Sequence, residues 1–300
     1  MTILIGLAPG QRDDAAVHLG CVLARSSSED VVVVSVVPAP WPPDPYGGDK
    51  EYLAYQEDLA EKTLRRARAH LDERVRQSEY LVRRAESVPG GLLDMIADRR
   101  FSSIVVGSSS MGLLGRVMLG GAAERILHSA ELPIVVAPRG FHEGRATKVS
   151  RVSVAFGRAD HDSRLVARAA SMAGLLQAPL RVVCFAVRPM AALVGAVGER
   201  AEQLVTKEWM QRLDDDIAAA LASAPDTGST SAGGLLPSPV DTALGHGSSW
   251  AEALHDVPWS DGDLLVVGIS TGPLGRFFLG SHAAKIVRNS PVPVALLTRG

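Results

Sequence analysis

The chain has 300 residues, 46% of them hydrophobic and 21% charged, with a formal net charge of −2. That length suggests two domains, the composition is that of an ordinary globular protein, and the near-neutral balance excludes a general attraction to nucleic acid. The two cysteines, Cys21 and Cys184, each fall in an apolar segment, which points to buried free thiols and away from a disulfide or metal site.

The N-terminus MTILIGLAPG has no basic leader and no long apolar core, so it reads as a strand, Ile3–Leu7. Asp13 and Asp14 precede a small-residue helix, Ala15–Arg25, where acidic residues suit the positive helix end. Val31–Val37 is a β-branched second strand and a central one. It is also the longest apolar run, far too short to span a bilayer. A cytoplasmic protein without membrane contact is therefore expected. Pro38–Gly48 is a proline-rich loop. A long helix over Glu51–Gln77 carries Leu64, Ala67, Leu71 and Val75 on one face, and its Arg and Glu residues face solvent. Tyr80–Ala85 is a strand, Leu92–Arg99 a short helix, and Ile104–Val106 a short buried strand ending at Gly107.

Residues 141–148 are short, polar and glycine-containing, and read as a linker between domains at 1–140 and 149–300. The order then recurs. Val152–Phe156 is a strand, Asp162–Leu176 a helix and Leu180–Val187 a strand. Glu199–Ala222 is a long helix, Ser223–Pro239 a surface loop, Val240–Leu244 a strand and Trp250–Asp256 a short helix. Leu264–Val267 is a buried strand ending at Gly268. Alternating strands and helices argue for a parallel sheet with helices on both faces, and in such sheets ligands sit beyond the strand carboxyl ends.

One stretch occurs twice. Ser102–Arg139 reads SSIVVGSSSMGLLGRVMLGGAAERILHSAELPIVVAPR, and Asp263–Arg299 reads DLLVVGISTGPLGRFFLGSHAAKIVRNSPVPVALLTR. Each has a strand, a glycine, a loop of small residues, the triplet Leu-Gly-Arg, a second glycine, a helix, a proline and a last strand. The second copy is one residue shorter between its glycines. A strand, a small-residue loop and a helix N-terminus outline a phosphate cradle, although glycine loops also simply turn corners.

At these residues the chain resembles the universal stress protein family in its tandem form. That family's signature is Gly-x2-Gly-x9-Gly-(Ser/Thr), and Gly107, Gly120, Gly268, Gly280 and Ser281 match it. Ser110 and Thr271 stand where the middle glycine belongs, and Gly121 replaces the Ser/Thr in the first copy. The resemblance implies two doubly wound parallel five-stranded sheets of order 3-2-1-4-5. It also implies that the last strands, Ile134–Ala137 and Val294–Leu297, pair within the chain as a pseudo-dimer, with further homo-oligomers open. Nucleotide-binding members carry an aspartate at the end of strand one. Ala8 and Gly157 take its place here. Family backbone contacts would fall at Val36 and Val187. The resemblance thus implies a stress-response binding or regulatory protein with degenerate nucleotide loops. The alternative is a sensor of ATP or another adenine nucleotide using mainly the second domain, through Gly268, Ser270, Gly280 and Ser281.

A catalytic reading also exists. Gly268-Ile269-Ser270-Thr271-Gly272 matches the G-x-S-x-G of a serine hydrolase, but Pro273-Leu274-Gly275 follows where the elbow needs a helix. The eight histidines do not cluster at metal-ligand spacing. Arg116 and Arg276, in the two Leu-Gly-Arg triplets, either stand beside a phosphate or bond loop carbonyls. No Walker lysine follows a glycine loop, and no enzymatic activity is assigned.

Overall fold

The computed structural model describes residues 1–39, 48–71, 73–129, 132–142, 144, 146–157, 159–187, 240–271 and 277–298. The helix expected over Glu199–Ala222 and the loop over Ser223–Pro239 lie outside them, as does Arg276.

In the first domain β1 (Thr2–Leu7) pairs in parallel with β2 (Asp30–Pro38) on one side and β4 (Ser103–Gly107) on the other. β3 (Ser78–Ala85) adds to β2, and β5 (Ile134–Ala137) to β4. The second domain repeats this with β6 (Arg151–Ala155), β7 (Leu180–Val187), β8 (Asp241–Gly247), β9 (Asp263–Thr271) and β11 (Val294–Thr298), while β10 (Phe277–Phe278) pairs off the main path with β9. The spatial order is β3-β2-β1-β4-β5-β11-β9-β6-β7-β8. Each half therefore has the expected 3-2-1-4-5 order.

The halves join where β11 runs antiparallel to β5, with Val294 opposite Val136, Ala295 opposite Val135 and Leu296 opposite Ile134. Val136 and Leu296 are buried, at 0% and 1% exposure, as the paired apolar runs require. Burying one such side chain contributes about 1.5–3 kcal/mol. The result is one sheet crossing both domains. Helices α1 (Ala15–Ser27), α2 (Gly48–Leu71) and α5 (Ala159–Leu176) cover one face. Helices α3 (Val88–Asp98), α4 (Gly121–Leu127), α6 (Trp250–Asp256) and α7 (Ser281–Asn289) cover the other. Strands buried on both faces need near-continuous apolar sequence, which β2 supplies.

Two connections fix the halves further. α1 packs on α5 across the seam. The Val149 amide donates to the buried Ser26 hydroxyl at 2.8 Å, tying the start of the second domain to α1.

The elements differ most from sequence expectation in three places. α2 ends at Leu71, not Gln77, and the chain beyond it tightens into a turn, with the Arg74 amide donating to the Leu71 carbonyl at 2.8 Å. α3 starts at Val88, not Leu92. The Ser87 hydroxyl accepts from the Gly90 amide at 3.2 Å, and Pro89 sits in the first turn, where it costs no hydrogen bond. β9 does not end at Gly268. Leu297 and Thr298 of β11 pair with Gly268 and Ile269, and β10 pairs with Ser270 and Thr271.

Candidate functional site

Each half opens a crevice where its first and second strands part. β1 and β2 pair last at Leu7 and Ser35, so the edge of β2 facing β1 is open from Val36 onward. Val36 itself remains laddered to Arg83 of β3. Its side chain lies under α3, so close to Gly91 that a Cβ there would stand 2.7 Å from Val36 Cγ1. In the second half β6 and β7 pair last at Ala155 and Val183, and Val187 lies beyond them, laddered only to Gly247 of β8.

In the first crevice the chain bonds to itself. Ala8 stands at the end of β1, and its amide donates to Gln11 Oε1 at 3.0 Å. Gln11 Nε2 donates to the Asp13 carbonyl at 2.8 Å and would lie 3.2 Å from a Cβ on Gly107. Gly10 makes the necessary sharp turn at φ +73°, and its amide donates to the Thr63 hydroxyl at 3.1 Å. Arg66 of α2 donates to the Gln11 carbonyl and, at 2.8 Å, to Asp14. Asp13 accepts from the Ala15 and Gly140 amides. Gln11 thus spans from the strand-one end toward Gly107.

The loop after Gly107 is also self-satisfied. Ser108 Oγ accepts from the Met118 amide at 2.7 Å, and the Ser109 amide donates to the Met118 carbonyl at 2.8 Å. The Gly115 amide donates to the Arg139 carbonyl, and the Arg139 amide to the Arg116 carbonyl. Ser110, in the place of the middle glycine, has no positive φ, so that replacement brings no backbone strain. Gly120 caps α4 in extended conformation, with no side-chain hydrogen bond. α4 itself has only seven residues.

Arg116 does not point to this cradle. Its guanidinium reaches the second domain, donating to the Asn289 carbonyl and lying 2.8 Å from His255 Nε2. Of its two expected roles, carbonyl bonding is the one observed.

Among the described residues the second half is more open at Gly280 and Ser281. Gly268 is buried inside β9, while Ser270 is exposed and laddered to Phe278. Two residues past Phe278 the chain reaches Gly280, which caps the nine-residue α7. Gly280 and Ser281 are exposed, and nothing lies within 4 Å of a Cβ on Gly280. The structure thus brings Ser270, Gly280 and Ser281 to one end of the sheet, with Gly268 beneath them. The first-turn amides of α7 lack helical partners. Gly157, exposed at the end of β6, supplies no carboxylate. Among the described residues, Gly280 and Ser281 leave open amides and a hydroxyl at the start of α7, and Gly157 stands where the resemblance would put the aspartate.

Two contributors escaped the sequence reading. Gln11 is one, and its position after Pro9-Gly10 was the available signal. Trp250, at the start of α6, is the other. Its ring lies between Phe185 and His282, at centroid distances of 6.3 and 5.3 Å. α6 is anchored by a reciprocal cap. Ser249 Oγ accepts from the Glu252 amide, and Glu252 accepts from the Ser248 hydroxyl and amide at 2.7 and 2.9 Å. The Ser248 hydroxyl, then its amide, holds the Glu252 carboxyl below its ordinary range.

Ser270 lies within a strand ladder, and the next described helix begins only at Ser281. Among the described residues no helix follows Ser270 directly, as the strand–turn–helix elbow of a serine hydrolase requires. Among the described residues no group of three or more metal ligands occurs, and no helix is long and apolar enough to cross a membrane.

At the opposite end of the second sheet lies a buried charge cluster. Asp263, fully buried, accepts from Arg151 Nη2 at 2.7 Å and from the Ser260 amide at 3.0 Å. Arg181, 1% exposed, stands 3.6 Å from Asp263, donates to Ser153 Oγ, and faces the Trp259 ring. Burial, then Arg151, pushes the Arg181 guanidinium down, while Asp263 and Asp241 oppose them.

Residues 1–138 and 148–298 each match the sequence profile of the Universal stress protein family. The chain is 31% identical over 301 residues to universal stress proteins of Mycobacterium tuberculosis and Mycobacterium bovis, covering 99% of either chain. Its fold is similar to that of a universal stress protein from Archaeoglobus fulgidus, with TM-score 0.61, 16% identity, and 100% of this chain and 98% of that one covered. A putative universal stress protein from Pseudomonas aeruginosa gives TM-score 0.55 at 14% identity, over 99% of this chain and 92% of the other.

Proposed function

The chain belongs to the universal stress protein family in tandem form, and from that premise we propose a binding and regulatory protein with unequal halves. The first half serves as a closed partner, and the second takes phosphate-bearing ligands at Gly280-Ser281. The observation that carries this reading is Gln11, which occupies the first crevice through its bonds to Ala8 and Asp13. The second crevice keeps an exposed glycine and hydroxyl at the start of α7. Backbone amides at a helix start, with a hydroxyl beside them, suit an anion.

The same reading makes a nucleotide a weak ligand with little base preference. The carboxylate that would hold the nucleoside is replaced by Gly157. One lost hydrogen bond to a charged group costs about 1.5–3 kcal/mol, or roughly ten- to a hundredfold in affinity. We assign no chemical step, and place the protein in the cytoplasm.

Titration calorimetry with ATP, GTP and pyrophosphate tests the proposal, with mass spectrometry of whatever small molecule the denatured protein releases. All three should bind weakly and comparably, and Ser281→Ala should weaken each. Tight ATP binding with GTP excluded, or binding lost only on Gly121→Asp, would overturn it.

A further inference from the structure

We propose that the groove between α3, α4 and β10 binds small planar aromatic anions, and so bridges the two domains. The groove encloses about 520 Å³, within the range of a small-molecule site. Ser87, Pro89 and Leu93 of the first domain form one wall, Arg125 and His128 the second, and Phe278 of the second domain the third.

The lining defines the ligand. Arg125 makes no hydrogen bond or ion pair among the described residues, and no described carboxylate lines the groove. The Gly90 amide at the start of α3 is already held by Ser87 Oγ. Negative charge is therefore met by the Arg125 fork, which suits a carboxylate or phosphate. Phe278 is 45% exposed, an unusual position for a phenylalanine, and tilts against His128 at a centroid distance of 5.4 Å. A flat ring laid against Phe278, Pro89 and Leu93 removes that apolar surface from water. A ring without charge leaves Arg125 unused, and an anion without a ring leaves Phe278 uncovered. Aromatic carboxylates and aryl phosphates satisfy both. Phe278 precedes Gly280 by two residues, so a ligand here also touches the segment leading into α7. The groove is separate from the Gly280-Ser281 cradle and does not require that a nucleotide bind there.

Ligand-observed NMR and calorimetry on the full chain test the proposal, using benzoate and phenyl phosphate as probes and benzyl alcohol and inorganic phosphate as controls. Both probes should bind saturably and both controls at least about tenfold more weakly. Arg125→Gln should weaken the probes about tenfold. Phe278→Leu, which keeps apolar bulk and removes the ring, should weaken them too. Pyrophosphate should not displace benzoate. Absence of saturable probe binding, indifference to both substitutions, or displacement of benzoate by pyrophosphate would each overturn the site.

Discussion

Arg116 and Asn289 stand 173 positions apart in the chain, yet the Arg116 guanidinium donates to the Asn289 carbonyl at 2.5 Å. Asn289 is the last residue of α7, where helix carbonyls lack partners and a cation is favoured. The same guanidinium lies at His255 Nε2, which must accept, leaving the ring proton on Nδ1. The loop after Gly107 is thereby fastened to the opposite domain.

Arg116→Ala should therefore lower stability by about 1–2 kcal/mol. Arg116→Lys should recover only part, since an ammonium lacks the fork that reaches two acceptors. Chemical denaturation checks both, and an unmoved midpoint in the alanine variant would refute the latch.

Leu296→Asp should be far more damaging. Leu296 is 1% exposed, opposite Ile134 at the seam. A carboxylate there is buried without a partner, and a loss of about 3–5 kcal/mol is expected. Thermal melting of the full chain measures it. A melting temperature close to that of the parent would mean that the seam opens without cost.

Asp263→Asn tests the buried charge cluster. The substitution leaves Arg181, itself 1% exposed, beside Arg151 with only the more distant charge of Asp241 to oppose them. Removing one partner from a buried pair costs about 3–5 kcal/mol. A milder effect is expected for Glu57→Gln, whose bond to Arg84 lies in solvent. If the two variants melt alike, Asp263 does not hold the cluster.

Glu252 supplies a pH dependence. Its folded pKa is depressed below the ordinary 4.5 by Ser248. The cap is therefore fully present above 4.5 and is lost as pH falls through the lower folded value. Amide exchange at the start of α6 should quicken over that acidic window, and Glu252→Gln should remove the pH response. Exchange that ignores pH in the parent protein would contradict the cap.

The sheet was legible in the sequence because its signals are local and repeated. Apolar runs, most of them followed within two residues by glycine or proline, mark ten strands in two matching sets, and the resemblance to the family implied that the final strands, Ile134–Ala137 and Val294–Leu297, pair. In the structure Val136 stands opposite Val294. What escaped depends on partners that only the fold assembles. Gly268 looked like the end of a strand, but Leu297 and Phe278 supply the ladder that carries β9 past it. The end of α2 at Leu71 carries no glycine or proline to mark it. The carbonyl that Arg116 reaches belongs to the other domain, so no motif around Leu-Gly-Arg could name it. Gln11 was overlooked because its bonds, from the Ala8 amide and to the Asp13 carbonyl, belong to no motif.

Joining two copies of a fold through β5 and β11 has an evolutionary consequence. In a pair of identical subunits every substitution is made twice, so neither cleft can change without the other. Here the two halves share one polypeptide and one sheet but not one set of codons. Gln11 could bond to Ala8 in the first half while Gly280 and Ser281 stand exposed in the second. Arg116 could acquire His255 as a neighbour although Leu93 stands at the corresponding place in the first half. Fusion freed each half to diverge, while the shared seam obliged both to keep the same sheet.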